Sequence, residues 1–335
     1  MDFLHEYGLF FAKTGTVILA IMAVTGFFAL FATKEKDLKH RLTIENINKK
    51  FKQFSDIMHN EILGKKESKE YRKNQKELEQ EREKQKDRKR IFVLDFFGDI
   101  RASAAKSLCQ EVTAILTTAK ENDEVLVRIE SGGGSVHGYG LASSILQRIK
   151  DANIPLTVAV DKIAASGGYM MACVADRIIA APFAIIGSIG VIVGLPNFNR
   201  LMKKHNIEYE QIMAGEFKRT LTVFGENTKK DREKVQEDVD KIHDMFKTFV
   251  KEYRPSIDLA SVATGEHWHG LEAKKLHLVD QIQTSEDYLL RASSHSDIYE
   301  VKFACKKQLV EKLSSGVHTL TRTIIDTLRK EDTQI

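Results

Sequence analysis

Ser166 is the residue whose surroundings most suggest chemistry. It stands in Ala164-Ala165-Ser166-Gly167-Gly168-Tyr169, directly after a predicted strand. Small neighbours allow a substrate carbonyl to approach the hydroxyl, and a helix beginning at Ser166 would place its positive dipole end beneath the reacting group. The N–H of Gly167 would then lie where an oxyanion needs a donor. A serine at this position can also be a helix N-cap, so the residues alone allow two interpretations.

A run of three glycines stands earlier in the chain, in Glu130-Ser131-Gly132-Gly133-Gly134-Ser135, between a predicted strand and a predicted helix. Consecutive glycines allow positive φ and close approach of the backbone to a ligand, and exposed N–H groups at such a turn suit an oxyanion. The run matches neither the dinucleotide pattern G-x-G-x-x-G nor a P-loop, which ends in G-K-[ST]. Alone, it is more typical of a tight turn than of a site.

A nucleophilic serine needs a base, and histidine is the usual one. Of the histidines in the predicted catalytic body, only His137 lies near a glycine loop. Lysine can serve instead when its surroundings favour the neutral form, since only the free amine accepts a proton. Lys218 stands among small and aromatic neighbours, although a lone lysine of this kind is ordinarily a surface residue. Residue chemistry alone leaves both candidates open.

The order of these motifs along the chain is more specific than any one of them. The glycine loop is followed by the Ser166 turn, by Gly187-Ser188-Ile189-Gly190-Val191 and then by Lys218. This order resembles the signal peptide peptidase A family of serine peptidases, also called protease IV. Two later stretches, at 265–273 and 278–280, fit the same family. Within it, the N-terminal segments and the glycine loop look most like the SohB proteases, and the resemblance covers nearly the whole chain.

The resemblance implies a ClpP/crotonase-type layered α/β fold and a Ser-Lys dyad. Carried over by motif, the nucleophile is Ser166 and the general base is Lys218, 52 residues later. The oxyanion-hole donors would come from Gly133, Gly134 and Gly167. The family members act on polypeptides without a metal or cofactor, and the resemblance also implies a homo-oligomer. The expected reaction is therefore hydrolysis of peptide bonds, with remnant signal peptides as one substrate class.

Two positions depart from the family pattern. The usual Ser-Pro-Gly-Gly is Ser131-Gly132-Gly133-Gly134 here, which loosens the turn but keeps the glycine N–H donors. The glycine that usually precedes Leu-Val-Asp is His277, which affects a turn outside the dyad. Neither change removes a group that the mechanism needs.

The sequence around these residues predicts alternating strands and helices. The apolar runs at 91–94, 125–129 and 156–160 predict buried strands, as parallel sheets require. Apolar residues at helical spacing separate them, around 105–116 and 145–149. This βαβαβ order predicts a layered α/β domain over 91–290 with right-handed crossovers.

The N-terminal region predicts a membrane anchor at 1–33. Residues 14–33 are 20 consecutive positions without a charge, enough for a helix of about 30 Å that spans a bilayer core. The start lacks a basic n-region and the exit is a poor cleavage site, so retention is favoured over a cleaved signal peptide. The basic residues that follow place the body on the cytoplasmic side of a bacterial plasma membrane by the positive-inside rule.

The flanking segments differ in composition from the predicted catalytic domain. Residues 34–90 form a charged linker, helical or disordered, because 19 of the 26 residues at 65–90 are charged. Residues 291–335 are predicted as a helical extension. The run 178–196 has no charge, but its proline and glycines favour buried strands and turns over a second membrane span.

Composition argues against several other functions. A net charge of +4 and the lack of basic patches interleaved with aromatic residues argue against nucleic acid. The three cysteines are far apart and fit neither a disulfide framework nor a metal site. His267 and His269 have no third ligand nearby, so no metal is expected. Two rival functions remain at this point, a crotonase-type acyl-CoA enzyme and a non-catalytic membrane scaffold.

Overall fold

The computed structural model describes residues 41–84 and 88–304. The chain divides into two compact units, Ile44–Lys302 and a unit made of the chain ends, Met1–Thr43 with Phe303–Ile335. Of the second unit only 41–43 and 303–304 are described, and there the Ala304 N–H donates to the Arg41 carbonyl at 2.8 Å. The predicted anchor at 14–33 and residues 305–335 of the predicted helical extension lie outside the described residues. No helix within the described ranges has the length and apolar character needed to cross a bilayer.

The secondary structure alternates between strands and helices, as expected. The strands are β1 (Leu42–Asn46), β2 (Arg90–Gly98), β3 (Glu124–Ser131), β4 (Leu156–Val160), β5 (Ile163–Ala165), β6 (Arg177–Ala180), β7 (Ile185–Gly187), β8 (His267–His269), β9 (Gln281–Ile282) and β10 (Asp297–Phe303). The helices are α1 (Ile47–Ile62), α2 (Lys65–Lys84), α3 (Ala105–Leu116), α4 (Val136–Asp151), α5 (Gly167–Ala172), α6 (Asn199–Lys204), α7 (Lys229–Tyr253), α8 (Leu259–Val262), α9 (Gly270–Lys275) and α10 (Ser285–Ala292).

The described strands form one mixed sheet with the order β1-β10-β2-β3-β4-β6-β9. The central pairs β2–β3, β3–β4 and β4–β6 are parallel, so their connections cross over through helices. A short branch leaves this sheet at the end of β3, where β5 pairs with β3 and then with β7, and β8 closes the branch antiparallel to β7. The three predicted strands correspond to β2, β3 and β4.

Helices cover both faces of the sheet, which gives the layered α/β architecture. On one face, Val93 and Leu126 belong to a buried cluster with α10, and Ile47 and Phe51 of α1 pack against it. On the other face, Phe96 meets Tyr139 of α4 edge-on, with ring centroids 6.2 Å apart. The sheet is thus buried on both sides, which explains why its strands read as continuous apolar runs.

Three segment boundaries differ from the sequence-based prediction. The linker 34–90 contains helices α1 and α2 over its described part, but also β1, and α1 packs on the core rather than extending freely. The predicted helical extension from 291 is wrong for its described part, because 297–303 form β10, which pairs with β2. In 178–196, the first half supplies the buried strands β6 and β7, whereas Ile192 and Val193 are exposed.

His277 occupies a backbone conformation that favours glycine, the residue that the family resemblance leads us to expect at this position. Its φ is 61°, in the left-handed region, where an L side chain costs roughly 1–2 kcal/mol. The Arg254 guanidinium donates to the His277 carbonyl at 3.2 Å and also pairs with Asp280. These contacts hold the turn in place although the glycine is missing.

Candidate active site

Two loops meet at the carboxyl ends of neighbouring parallel strands. Ser131, the last residue of β3, is paired with Ala164 in β5, so the glycine loop and the Ser166 turn leave the sheet side by side. A Cβ atom on Gly133 would lie 2.7 Å from the Ser166 Cβ and 2.7 Å from the Gly167 nitrogen. Such a distance is shorter than real Cβ atoms tolerate, so only glycine at position 133 allows the loops to touch.

Ser166 has an unusual backbone conformation. Its φ is 52° and its ψ −118°, outside the regions that non-glycine residues ordinarily occupy. The Ser166 N–H donates to the Gly187 carbonyl at 2.7 Å, and the Ser166 carbonyl accepts from the Met170 N–H at 2.9 Å. Strain of this kind costs about 1–3 kcal/mol and is concentrated at functional sites, where the surrounding structure enforces it.

The side chain of Ser166 does not act as a helix cap. Helix α5 begins at Gly167, and the Ser166 hydroxyl makes no capping hydrogen bond to it. Ser166 and Gly167 instead supply part of the wall of a cavity. Of the two interpretations that the sequence left open, this geometry favours the nucleophile.

The glycine N–H groups are not equivalent. The Gly133 N–H donates to the Ser131 hydroxyl at 3.1 Å, so it is already engaged. The N–H groups of Gly134 and Gly167 have no hydrogen-bond acceptor among the described residues. Gly134 lies against the backbone of Ile100, where an added Cβ would come within 2.2 Å of the carbonyl oxygen. The pair Gly134 and Gly167 therefore fits an oxyanion hole better than a pair that includes Gly133.

A cavity of about 380 Å³ opens beside Ser166. Its lining is predominantly apolar and comes from α4, α5, the segment after β7, and α7. The α7 side chains that line it are Ile242, Met245, Phe246 and Phe249. A larger depression of about 940 Å³ lies along α7 and α8, between Asp244 and Ala263, but it contains none of the predicted site residues. Because the smaller cavity is lined by Ser166, the candidate nucleophile, it is the better candidate for substrate binding.

Lys218 lies apart from this group. It is exposed, and its N–H donates to the Gly215 carbonyl at 3.2 Å. Its neighbour Phe217 contacts the first turns of α7, where the Lys230 and Lys234 ammonium groups each lie 5.7 Å from the ring centroid. Lys218 is not among the described residues that line the cavity. The structure thus brings Ser166, Gly133, Gly134 and Gly167 together, but not Lys218.

The alternative base is also outside the cavity. His137 lies in the first turn of α4, close to the glycine loop in sequence, and its side chain is exposed. It does not line the cavity, and no hydrogen bond joins it to Ser166 among the described residues. His267 and His269 flank the short strand β8, where the His269 ring lies 3.2 Å from the Phe183 carbonyl.

Comparison with known proteins identifies the family. Residues 2–146 match Peptidase family S49 N-terminal, and residues 148–299 match Peptidase family S49. A protein named Probable protease SohB from Haemophilus influenzae is 44% identical over 324 residues, which cover 93% of this chain and 92% of that protein. The chain belongs to peptidase family S49. It is accordingly a serine peptidase, and the predicted resemblance to SohB proteases is confirmed.

A further relative agrees with this assignment. A Probable protease SohB from Buchnera aphidicola is 46% identical, over 87% of this chain and 99% of the relative. Among solved structures, a membrane-bound stomatin-specific protease is 17% identical with a TM-score of 0.41, over 61% of this chain and 84% of that one. The comparisons do not support the rival interpretations as an acyl-CoA enzyme or a scaffold, since the relatives that match most of this chain are named as probable proteases.

Sequence reasoning missed two parts of this S49 site. Tyr139 and Ser131 hold the glycine loop through their hydroxyl groups, which lie 2.6 Å apart. The α7 face that lines the cavity is more than 70 residues from Ser166 in sequence. A signal for Tyr139 was present, because it stands on the apolar face of α4 with Ala142 and Leu146. No local signal links α7 to Ser166.

Proposed function

We propose that this S49 peptidase hydrolyses peptide bonds with Ser166 as nucleophile and Lys218 as general base, on a ClpP/crotonase-type framework. The observation that carries the proposal is the strained Ser166, which makes no capping hydrogen bond and lines a cavity together with Gly134 and Gly167, whose N–H groups are unengaged. Acyl transfer needs these parts together: a nucleophile, donors for the oxyanion and room for the substrate.

The proposed reaction is an acyl transfer in two stages, acylation of Ser166 and hydrolysis of the acyl-enzyme. The neutral Lys218 amine takes the Ser166 proton as Oγ bonds to the substrate carbonyl carbon and the π electrons move onto oxygen. The N–H groups of Gly134 and Gly167 donate to that oxyanion. Collapse breaks the C–N bond, and the Lys218 ammonium returns the proton to the leaving amine. Water then attacks the acyl-enzyme with Lys218 again as base, releasing the carboxylic acid and restoring Ser166. No step requires a metal or a cofactor.

Lys218 has to approach Ser166 for this chemistry. The segment that contains Lys218 exposes many apolar side chains, as a protein–protein interface does. We call residues 193–227 the arm. The arm has contacts of its own, since the Phe198 N–H donates to the Val223 carbonyl at 2.7 Å and Phe224 lies between Phe198 and Tyr209. Ten of its large apolar side chains are exposed. They are Val193, Leu195, Phe198, Leu201, Ile207, Tyr209, Ile212, Met213, Phe217 and Phe224.

An exposed apolar surface of this size marks an interaction site. The proposed partner is a second copy of this chain, as the family resemblance implies. In the proposal, burial of the arm between copies moves Lys218 to Ser166 and away from water. Loss of water around the amine also favours the neutral form that the base requires.

Ile212→Asp tests this association, because Ile212 is 98% exposed in the single chain and a charge there is costly once buried. We expect the full-length variant to sediment as a smaller species than the wild type and to lose at least about tenfold in peptide turnover, since interface centres carry most of the binding energy. Leu290→Asp is the matched control, because Leu290 is exposed on α10, away from the arm. A variant Ile212→Asp with unchanged sedimentation and activity would contradict the proposal.

The cavity points to polypeptides with apolar side chains as substrates. Its lining is predominantly aliphatic and aromatic, so an apolar side chain gains free energy by leaving water there. Remnant signal peptides are the proposed natural substrates, because their hydrophobic segments supply such side chains and the family resemblance points to them.

Gly140 lines this cavity, and its lack of a side chain leaves space there for the substrate. It lies inside helix α4, where glycine is unfavourable, and a Cβ atom added there would meet nothing within 4 Å. We expect Gly140→Phe to lower kcat/KM at least about tenfold for peptides with leucine at the cleaved position, and much less for alanine, since a filled pocket excludes large side chains. The ratio of the two kcat/KM values is the measurement.

The control for that series is Leu141→Phe, which adds a similar ring on the exposed face of the same helix. It should leave the ratio unchanged. If Gly140→Phe also leaves the leucine-to-alanine ratio unchanged, the cavity is not the substrate side-chain site.

The location proposed for the enzyme is a bacterial plasma membrane, with a single span at 14–33. Support comes from sequence: 20 uncharged residues followed by a basic flank that includes Lys34, Lys36, Lys39 and Arg41. The charge bias favours a cytoplasmic catalytic domain. A peptidase held at the membrane would meet membrane-inserted peptides such as remnant signal peptides directly.

A further inference from the structure

A chain of hydrogen bonds ends on the glycine loop. The Tyr139 hydroxyl donates to the Asp99 carbonyl at 2.8 Å and lies 2.6 Å from the Ser131 hydroxyl. A tyrosine hydroxyl has only one proton, and that proton is given to Asp99. Ser131 must therefore donate to Tyr139, and its free lone pair accepts the Gly133 N–H at 3.1 Å. Each group therefore donates to the next one, from the Gly133 N–H to the Ser131 hydroxyl, then to the Tyr139 hydroxyl and finally to the Asp99 carbonyl.

The ring of Tyr139 reaches the other half of the oxyanion hole. A Cβ atom on Gly167 would lie 2.3 Å from Cγ of Tyr139, so the ring lies directly against the Gly167 backbone. The Tyr139 side chain is fully buried, and Phe96 holds its ring edge-on from the sheet. One side chain thus contacts both loops, the glycine loop through its hydroxyl and the Ser166 turn through its ring.

The glycine loop needs such support. Three consecutive glycines have more conformational freedom than any other tripeptide, and a proline would have restricted one of them. The family's proline is replaced by Gly132 in this chain. The peptide unit that carries the Gly134 N–H lies between two held groups: the Gly133 N–H donates to Ser131, and the Ser135 N–H donates to the Ile100 carbonyl at 2.8 Å. Holding both sides restricts the orientation of the Gly134 N–H.

We propose that Tyr139, acting through Ser131, is a positioning residue for the oxyanion hole: it holds the Gly134 N–H at the point where the substrate oxyanion forms. The inference rests on the proposed function, since it assumes that Ser166 is acylated. Burial raises the pKa of the Tyr139 hydroxyl, so the phenol keeps the proton that it donates to Asp99. Its role is to fix the loop, and it does not touch the substrate oxyanion itself.

Tyr139→Phe tests the proposal in the full-length enzyme. The readout compares a peptide aldehyde, which forms a tetrahedral adduct with the serine, with the corresponding peptide amide, which binds without an adduct. We expect kcat to fall about 10- to 100-fold while KM changes less than twofold. This fall in kcat is smaller than the one caused by removing an oxyanion-hole donor altogether. Aldehyde affinity should fall by the same factor as kcat, while amide affinity stays within twofold. Ser131→Ala should show the same split.

Tyr169→Phe is the matched control. Tyr169 is equally buried and its hydroxyl donates to a backbone carbonyl, that of Leu278 at 3.0 Å, away from the glycine loop. This variant loses the same atoms and one comparable bond, so any purely structural effect should appear there too. We expect its aldehyde-to-amide affinity ratio to equal that of the wild type.

The outcomes separate the inference from the function on which it rests. An unchanged aldehyde-to-amide ratio in Tyr139→Phe, or an equal change in Tyr169→Phe, overturns the positioning role. If Tyr139→Phe does not fold, as judged by its thermal melt, an unchanged ratio in Ser131→Ala overturns it instead. Ser166→Ala in the same assay tests the proposed function: turnover in that variant would refute the nucleophile itself.

Discussion

Ser166→Ala is expected to lower kcat by about 10⁶, as loss of the nucleophile does in other serine proteases. The fold should survive, because the Ser166 hydroxyl makes no capping bond and the backbone bonds to Gly187 and Met170 do not involve the side chain. Turnover of a fluorogenic peptide and labelling by a fluorophosphonate both measure the loss. The wild type should carry one label, on Ser166, and the variant none.

Ser144→Ala is the matched control for that variant. Ser144 also lines the cavity, but its hydroxyl donates to the Gly140 carbonyl at 3.0 Å within helix α4. Its removal should change turnover less than about threefold, since surface hydrogen bonds of this kind contribute little. Fluorophosphonate labelling that persists in Ser166→Ala would show that another residue is the nucleophile.

Lys218→Arg is expected to be as damaging as Lys218→Ala, with kcat/KM lower by about 10⁴–10⁶, the range seen when a base is removed from other serine proteases. An arginine keeps the charge and much of the length, but its guanidinium stays protonated and cannot accept the Ser166 proton. Because the base works as the free amine, kcat/KM of the wild type should rise with pH. Both lysine variants should lose that rise.

Lys230→Arg is the control for this substitution. Lys230 is close to Lys218, on the first turn of α7, and pairs with Glu216, a contact that arginine can keep. Its turnover should stay within about threefold of the wild type. A wild-type pH profile in Lys218→Arg would mean that the base lies elsewhere, and His137 would be the next residue to replace.

The strands at the centre of the fold could be predicted from sequence because their signal is local. The apolar runs that form β2, β3 and β4 are buried on both faces of a parallel sheet, so most of their residues are apolar. Arg128 of β3 is an exception, and it pairs with Asp95 of β2. The same holds for the Ser166 turn and the glycine loop, since both follow strands directly. Parallel strands end at one edge, and this places the two loops together.

The β10 strand could not be predicted from local sequence patterns. Residues 297–303 alternate polar and apolar side chains only weakly, and their strand conformation depends on pairing with β2, about 200 residues earlier. Without the partner strand the segment has no reason to be extended. The predicted helical extension 291–335 is therefore wrong over 297–303, the part that forms β10.

What the sequence determined by itself was therefore the type of residue at each place: a serine among small residues, a glycine run after a strand, and a lysine at the family's spacing. Only the tertiary structure decided the backbone conformation, the hydrogen bonds and the exposure of these residues. It put strain on Ser166, engaged the Gly133 N–H with Ser131, and left Lys218 exposed on the arm. The Gly133–Ser131 hydrogen bond joins residues only two apart, but Tyr139 on α4 holds the Ser131 hydroxyl that accepts it. The strain at Ser166 and the exposure of Lys218 are likewise decided by the tertiary structure, because backbone conformation and exposure depend on what packs around a residue.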